Sequence, residues 1–203
     1  MKALILVDIQ NDFLPLAGSA LPVPDGDAII KVANAEMASG HYEVIVATQD
    51  WHPADHGSFA SQHAGKKPGD VITLAGLPQV LWPDHCVQNT GGALFAAGLD
   101  THRIHQVFPK GTDLSIDSYS GFYDNDHRQA TGLGDFLRTK QVTDVAVLGL
   151  ATDYCVKFTA LDAVTLGFRT TLIRRGVRGV ELRPGDCERA IEAMQQAGVI
   201  IQD

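Results

Sequence analysis

Short, almost wholly apolar runs alternate with helix-like patterns along this 203-residue chain, and that alternation limits the fold more than any other feature. Residues 2–7 (Lys-Ala-Leu-Ile-Leu-Val) read as a first strand with no polar face. Similar runs lie at 44–48, 104–108, 144–148, 169–173 and 199–201. Between them, Ile29, Ile30, Ala33 and Met37 fall at helical spacing within 25–39. Further helices are expected over 133–140, after Thr152 and over 187–197. Strands without a polar face belong in a parallel sheet covered on both sides, since a half-wetted antiparallel sheet would alternate. Right-handed crossovers then predict an α/β architecture: a three-layer, doubly wound fold around a six-stranded parallel sheet. Hydrophobic residues make up 45% of the chain, enough at this length for a single domain over 1–203. One segment breaks the rhythm. Residues 49–103 are too long for a plain connection and hold Trp51, His52, His56, His63, Trp82 and His85, which points to a binding loop or lid.

Charge and cysteine content narrow the partners. A net charge of -8 argues against nucleic acid or an anionic membrane. No segment is long and apolar enough to span a bilayer, and the N-terminal apolar run is too short for a signal peptide. Three widely spaced cysteines, Cys86, Cys155 and Cys187, argue against a disulfide framework and for a reducing compartment. A cytoplasmic protein is expected; its oligomeric state, a homodimer included, stays open.

The segment Gly149-Leu150-Ala151-Thr152-Asp153-Tyr154-Cys155 sets a cysteine just past a strand, in the first turn of a helix that Thr152 or Asp153 can cap. Helix N-termini favour anions, so this thiol is expected to ionise more easily than a free one. Ligands of open parallel sheets bind beyond the carboxyl ends of the strands, where the strand order reverses. Asp8, Asp50 with His52, Lys110 and Cys155 each fall at such an end. A carboxylate, an ammonium and a thiol gathered there suit nucleophilic acyl transfer: the acid takes the thiol proton and the cation keeps the two anions from repelling. Asp50, His52 and His85 form a second set, suited to Zn²⁺, Fe²⁺ or Mn²⁺. Spacing alone allows an equal alternative, in which both histidines are loop residues satisfied by backbone groups. His56 and His63 are weaker substitutes for His85.

Asp8-Ile9-Gln10-Asn11-Asp12-Phe13, Gln49-Asp50-Trp51-His52-Pro53, Trp82-Pro83-Asp84-His85-Cys86, Lys110-Gly111, Tyr119-Ser120-Gly121-Phe122 and Ala151-Thr152-Asp153-Tyr154-Cys155-Val156 together resemble the nicotinamidase/pyrazinamidase enzymes of the isochorismatase-like cysteine hydrolases. The resemblance runs in order along essentially the whole chain. It implies Asp8 as general base, Lys110 as its cationic partner and Cys155 as nucleophile. It further implies an oxyanion hole from the N–H groups of Ala151 and Cys155, with a cis peptide between Leu150 and Ala151. One divalent metal, zinc first and iron or manganese as alternatives, would sit on Asp50, His52 and His85. His56 and Ser58 both lie where relatives place a further metal neighbour, so a fourth ligand stays undecided. Phe13 and Trp82 match aromatic walls of the substrate pocket. The implied reaction is hydrolysis of nicotinamide, and of pyrazinamide, through a cysteine thioester in NAD salvage. Three rivals remain: a different amidase of the superfamily, which the metal motif opposes; an isochorismatase, which Cys155 opposes; and a non-catalytic module, which a turnover assay would separate.

Overall fold

The computed structural model covers residues 1–203. Its centre is a six-stranded parallel sheet built from β1 (Lys2–Val7), β2 (Val44–Asp50), β5 (Gln106–Lys110), β6 (Asp144–Leu150), β7 (Arg169–Arg178) and β8 (Ile200–Gln202). The order across the sheet is β5-β2-β1-β6-β7-β8. The chain thus winds outward from β1 in one direction, returns, and winds outward in the other. The six apolar runs are the six strands, because residues such as Ala3, Leu4, Ile5, Val46, Val145 and Val147 are buried on both sheet faces.

The helices are α1 (Ala28–Ala38), α2 (Leu133–Thr139), α3 (Lys157–Thr165) and α4 (Asp186–Gln196). α1 follows β1 toward one edge and α3 follows β6 toward the other, so right-handed crossovers put them on opposite faces. The order reverses between β1 and β6, and Asp8 and Cys155 follow those two strands. Pairing there is close: Gly149 lies opposite Val7 with φ +133°, and a Cβ on it would meet the Val7 carbonyl oxygen at 2.0 Å. Only glycine lets these strands run side by side to the edge of the site.

The long segment after β2 is more ordered than its sequence suggested. It contains an antiparallel hairpin, β3 (Val71–Leu74) and β4 (Leu77–Val80), joined through Ala75 and Gly76, both at positive φ. Pro78 within β4 and the absence of an Asn-Gly or Asp-Gly turn hid the hairpin from sequence reading. No helix is long and apolar enough to cross a membrane.

Candidate active site

Asp8 leaves β1 at φ +48° and is completely buried. Lys110 ends β5, where its register partner on β2 is Asp50. Its ammonium lies 3.0 Å from Asp8 Oδ2, 2.5 Å from Asp50 Oδ1, 2.8 Å from the Ser118 carbonyl and 3.4 Å from Cys155 Sγ. Thr48, two residues before Asp50 on β2, donates its hydroxyl to Asp8 Oδ1 at 2.6 Å. Asp8 Oδ2 is near enough to Lys110 for charge attraction but outside hydrogen-bond geometry, and has no other partner. That oxygen is the one free to take a proton.

Burial raises the Asp8 carboxyl above its ordinary range, with Lys110 opposing. Burial acts the same way on Asp50, but Lys110 and His52 outweigh it and hold that carboxyl well below the usual range. Burial pulls Lys110 down, yet Asp50 and Asp8 prevail and keep it charged. An acid raised above its ordinary range and one held below it therefore flank the same ammonium.

The turn that carries Cys155 differs from expectation in two ways. Neither Thr152 nor Asp153 caps the helix. Ala151 occupies the cap position without a side-chain bond, and Thr152–Val156 form a π-helical turn before α3. Asp153 points elsewhere, accepting the backbone N–H groups of Val180 at 2.9 Å and Glu181 at 2.8 Å. The Ala151 carbonyl accepts from Tyr154 and Val156, both at 3.1 Å, and passes over the Cys155 N–H between them. The peptide between Leu150 and Ala151 is cis, as the resemblance implied. The second difference concerns the thiol. Burial pushes Cys155 well up, with Asp8 and Asp50 adding to the rise and Lys110 opposing it. A helix end and one cation do not outweigh burial and two carboxylates at this thiol.

Asp50, His52 and His85 come together as expected, with ligating atoms within 4.8 Å of one another. His52 Nε2 lies 3.5 Å and His85 Nε2 3.6 Å from Asp50 Oδ2. Each ring turns its other nitrogen to a carbonyl: His52 Nδ1 to Gly111 at 2.9 Å, His85 Nδ1 to Pro83 at 2.8 Å. Both sequence readings thus hold in part, since the backbone satisfies one nitrogen and leaves the other facing the carboxylate. Gly111 makes this possible; at φ +64°, a Cβ would stand 2.4 Å from His52 Cε1. His52 Nε2 is buried without a hydrogen-bond partner. A divalent cation fits this set, and imidazoles anchored through the far nitrogen are how such ligands are usually oriented.

His56 and Ser58 bond to each other, Nδ1 to Oγ at 2.8 Å, beside this group. His56 also forms a second potential ligand cluster with His52 and Asp117. His63 turns its Nε2 to the Gly57 carbonyl at 2.8 Å.

A pocket opens between the two sets, lined by Cys155 and Ala151 and by Asp50, His85 and Asp117. Phe13 and Trp82 are among its walls, with Leu21, Tyr119, Tyr154 and Val180. Trp82 meets Tyr154 edge-on at 4.8 Å and donates its indole N–H to the Tyr119 hydroxyl at 3.1 Å. The Phe13 ring centroid lies 5.5 Å from that of His85. Sequence reading gave no role to Tyr119, Tyr154, Asp117 or Thr48. Tyr119 and Tyr154 stood inside recognised motifs, and Thr48 shares a strand face with Asp50; those were the available signals.

A sequence model of the Isochorismatase domain matches residues 2–203. The chain belongs to the isochorismatase family. Among its relatives in that family, a nicotinamidase of Escherichia coli is 50% identical over 202 residues, covering 98% of this chain and 93% of the relative. The yeast nicotinamidase bound to the inhibitor nicotinaldehyde superposes with a TM-score of 0.94 at 33% identity, both chains covered in full. A Pyrococcus horikoshii pyrazinamidase in complex with zinc gives 0.79 at 40% identity, with 100% of this chain and 98% of that one covered. Within the isochorismatase family the chain is an amidohydrolase of the nicotinamidase/pyrazinamidase group.

Proposed function

We propose that this protein hydrolyses nicotinamide to nicotinate and ammonia, and pyrazinamide likewise, within NAD salvage. The observation that carries the reading is an aromatic-walled pocket lined by Cys155, whose thiol contacts the Lys110 ammonium that also neighbours Asp8, and by Asp50 and His85, which cluster with His52. In this reading a flat ring packs against Phe13 and Trp82, with its carboxamide toward Cys155 and its nitrogen toward the histidines. Asp8 Oδ2 takes the thiol proton as Sγ attacks the carboxamide carbon. Proton removal is coupled to attack, because burial and the neighbouring carboxylates disfavour a free thiolate. Lys110 steadies the negative charge as it moves between Asp8 and Sγ. The N–H groups of Ala151 and Cys155 hold the carbonyl oxygen as it becomes an oxyanion. Asp8 then hands its proton to the leaving nitrogen, the C–N bond breaks, and ammonia departs from a thioester. A water molecule, deprotonated by Asp8, attacks the thioester; the C–S bond breaks and Sγ recovers its proton as nicotinate leaves. A divalent ion on Asp50, His52 and His85, zinc first by its donor set with iron or manganese as alternatives, would offer the ring nitrogen a coordination position and so orient the substrate. Ammonia release from nicotinamide by the purified protein tests the assignment; no release would end it.

Two expected results arise here. Elemental analysis should find about one divalent ion per chain, and His85→Ala should lose it while keeping the sheet, which forms from other residues. Metal loss should raise the dissociation constant for nicotinamide more than it lowers the melting temperature. The second result concerns specificity. Benzamide has the shape of nicotinamide without the ring nitrogen, so its kcat/KM should be roughly tenfold to a hundredfold lower, about 1–3 kcal/mol for one lost polar contact. Equal values for the two amides would take the histidine set out of substrate recognition.

A further inference from the structure

β1 and β2 pair in register as far as Leu6 and Ala47, after which β1 turns away at Asp8 while β2 continues to Asp50. The Asp50 backbone is thereby left without a neighbouring strand on that side. The side chain of Gln10 fills the place. Its Oε1 accepts the Asp50 N–H at 2.8 Å, and its Nε2 donates to the Asp50 carbonyl at 2.8 Å and the Ala93 carbonyl at 2.9 Å. Gln10 is wholly buried, and its one acceptor and two donors are all used. On the far side of β2, Asp50 is in register with Lys110, whose carbonyl accepts the Trp51 N–H at 2.9 Å.

We propose that Gln10 is a positioning residue for the metal ligand Asp50. Its carboxamide stands in for the peptide unit that β1 no longer supplies. With both its N–H and its carbonyl held, Asp50 cannot rotate about its backbone. Its two oxygens must serve different partners, Oδ1 the Lys110 ammonium and Oδ2 the two histidines. A small rotation would loosen one contact or the other. Groups that orient a ligand commonly carry tenfold to a hundredfold in metal affinity. This inference rests on Asp50, His52 and His85 holding a divalent ion.

The test is Co²⁺ binding to chelator-treated protein, followed by competition with a chelator and by the visible d–d bands. Gln10→Met keeps the buried volume and removes the hydrogen bonds. It should weaken Co²⁺ binding roughly tenfold to a hundredfold and shift the bands. Gln49→Ala serves as the control, because Gln49 also donates to the Ala93 carbonyl, at 2.9 Å, without bonding to the Asp50 backbone. It should leave affinity and spectrum nearly unchanged. Amide exchange in the unaltered protein needs no variant: the Asp50 N–H should be as protected as the core of β2. A Gln10→Met protein that only melts earlier, with Co²⁺ affinity and bands intact, would overturn the proposal, as would rapid exchange at Asp50. Loss of affinity in Gln49→Ala equal to that in Gln10→Met would also overturn it, since anchoring of Ala93 would then be the cause. If the unaltered protein binds no Co²⁺, the metal assignment itself fails, which is a distinct outcome.

Discussion

Cys155→Ala should lower kcat for nicotinamide by on the order of 10⁴-fold or more while leaving the protein folded, the scale of loss seen when a covalent nucleophile is removed. Nothing nearby can replace it. Cys86 is fully buried and its N–H is held by Asp12 Oδ2 at 2.7 Å, so it belongs to the scaffold. Cys187 is only partly buried, in α4, and is not among the residues that line the pocket. Removing Sγ takes one contact from Lys110 but leaves those to Asp8, Asp50 and the Ser118 carbonyl. Cys187→Ala should therefore keep nearly full activity. Initial rates of ammonia release, with near-ultraviolet circular dichroism to check packing, decide the matter. Substantial turnover by Cys155→Ala would remove the thioester from the mechanism.

The second large effect is on stability. Lys110→Met should cost about 3–5 kcal/mol at neutral pH, because it strands two buried carboxylates that shared one cation. The pH dependence has a definite sign. In the parent protein Lys110 opposes the burial-driven rise at Asp8 and, with His52, holds Asp50 down. Without the ammonium both folded-state values move up, and Asp8, already raised by burial, moves further above its unfolded value. A folded pKa above the unfolded one means that the folded state binds the proton more tightly. Stability is then gained as pH falls through the folded value toward the unfolded value near 4. The deficit of Lys110→Met against the parent should thus be widest near pH 7.5 and narrow toward pH 5. Urea unfolding of chelator-treated protein at the two pH values measures it. A deficit that does not change with pH would mean that the carboxylates are not its source.

The strands were legible because burial on both faces forces apolar residues at every position, and residues 2–7 and 144–148 contain almost nothing else. Asp8, Asp50, Lys110 and Cys155 were legible because strand ends can be counted along the chain. Less was visible where a side chain answers to a distant partner. Asp153 looks like a helix cap in sequence, yet its carboxylate serves Val180 and Glu181, which only the return of β7 brings near. The Cys155 thiol was misjudged for a related reason: sequence reveals a helix end, but not how completely the thiol is enclosed or how close two acids stand. Gln10 stood inside a recognised motif and Thr48 on the strand face of Asp50, but nothing in sequence showed their bonds to Asp50 and Asp8, which exist only once β1 and β2 are side by side.

The register partnership of Asp50 and Lys110 also bears on how chains of this kind can change length. Lys110 ends β5, which lies at the margin of the sheet with a neighbour on one side only. Marginal strands are ordinarily where slippage is best tolerated. Here a shift of one residue would turn the lysine to the opposite face and withdraw its charge from both acids. An insertion or deletion within 106–110 would therefore cost both ion contacts of Lys110, whereas one in the connections on either side would spare them. The outermost ribbon of the sheet is held to a fixed length by the two acids that its last residue serves.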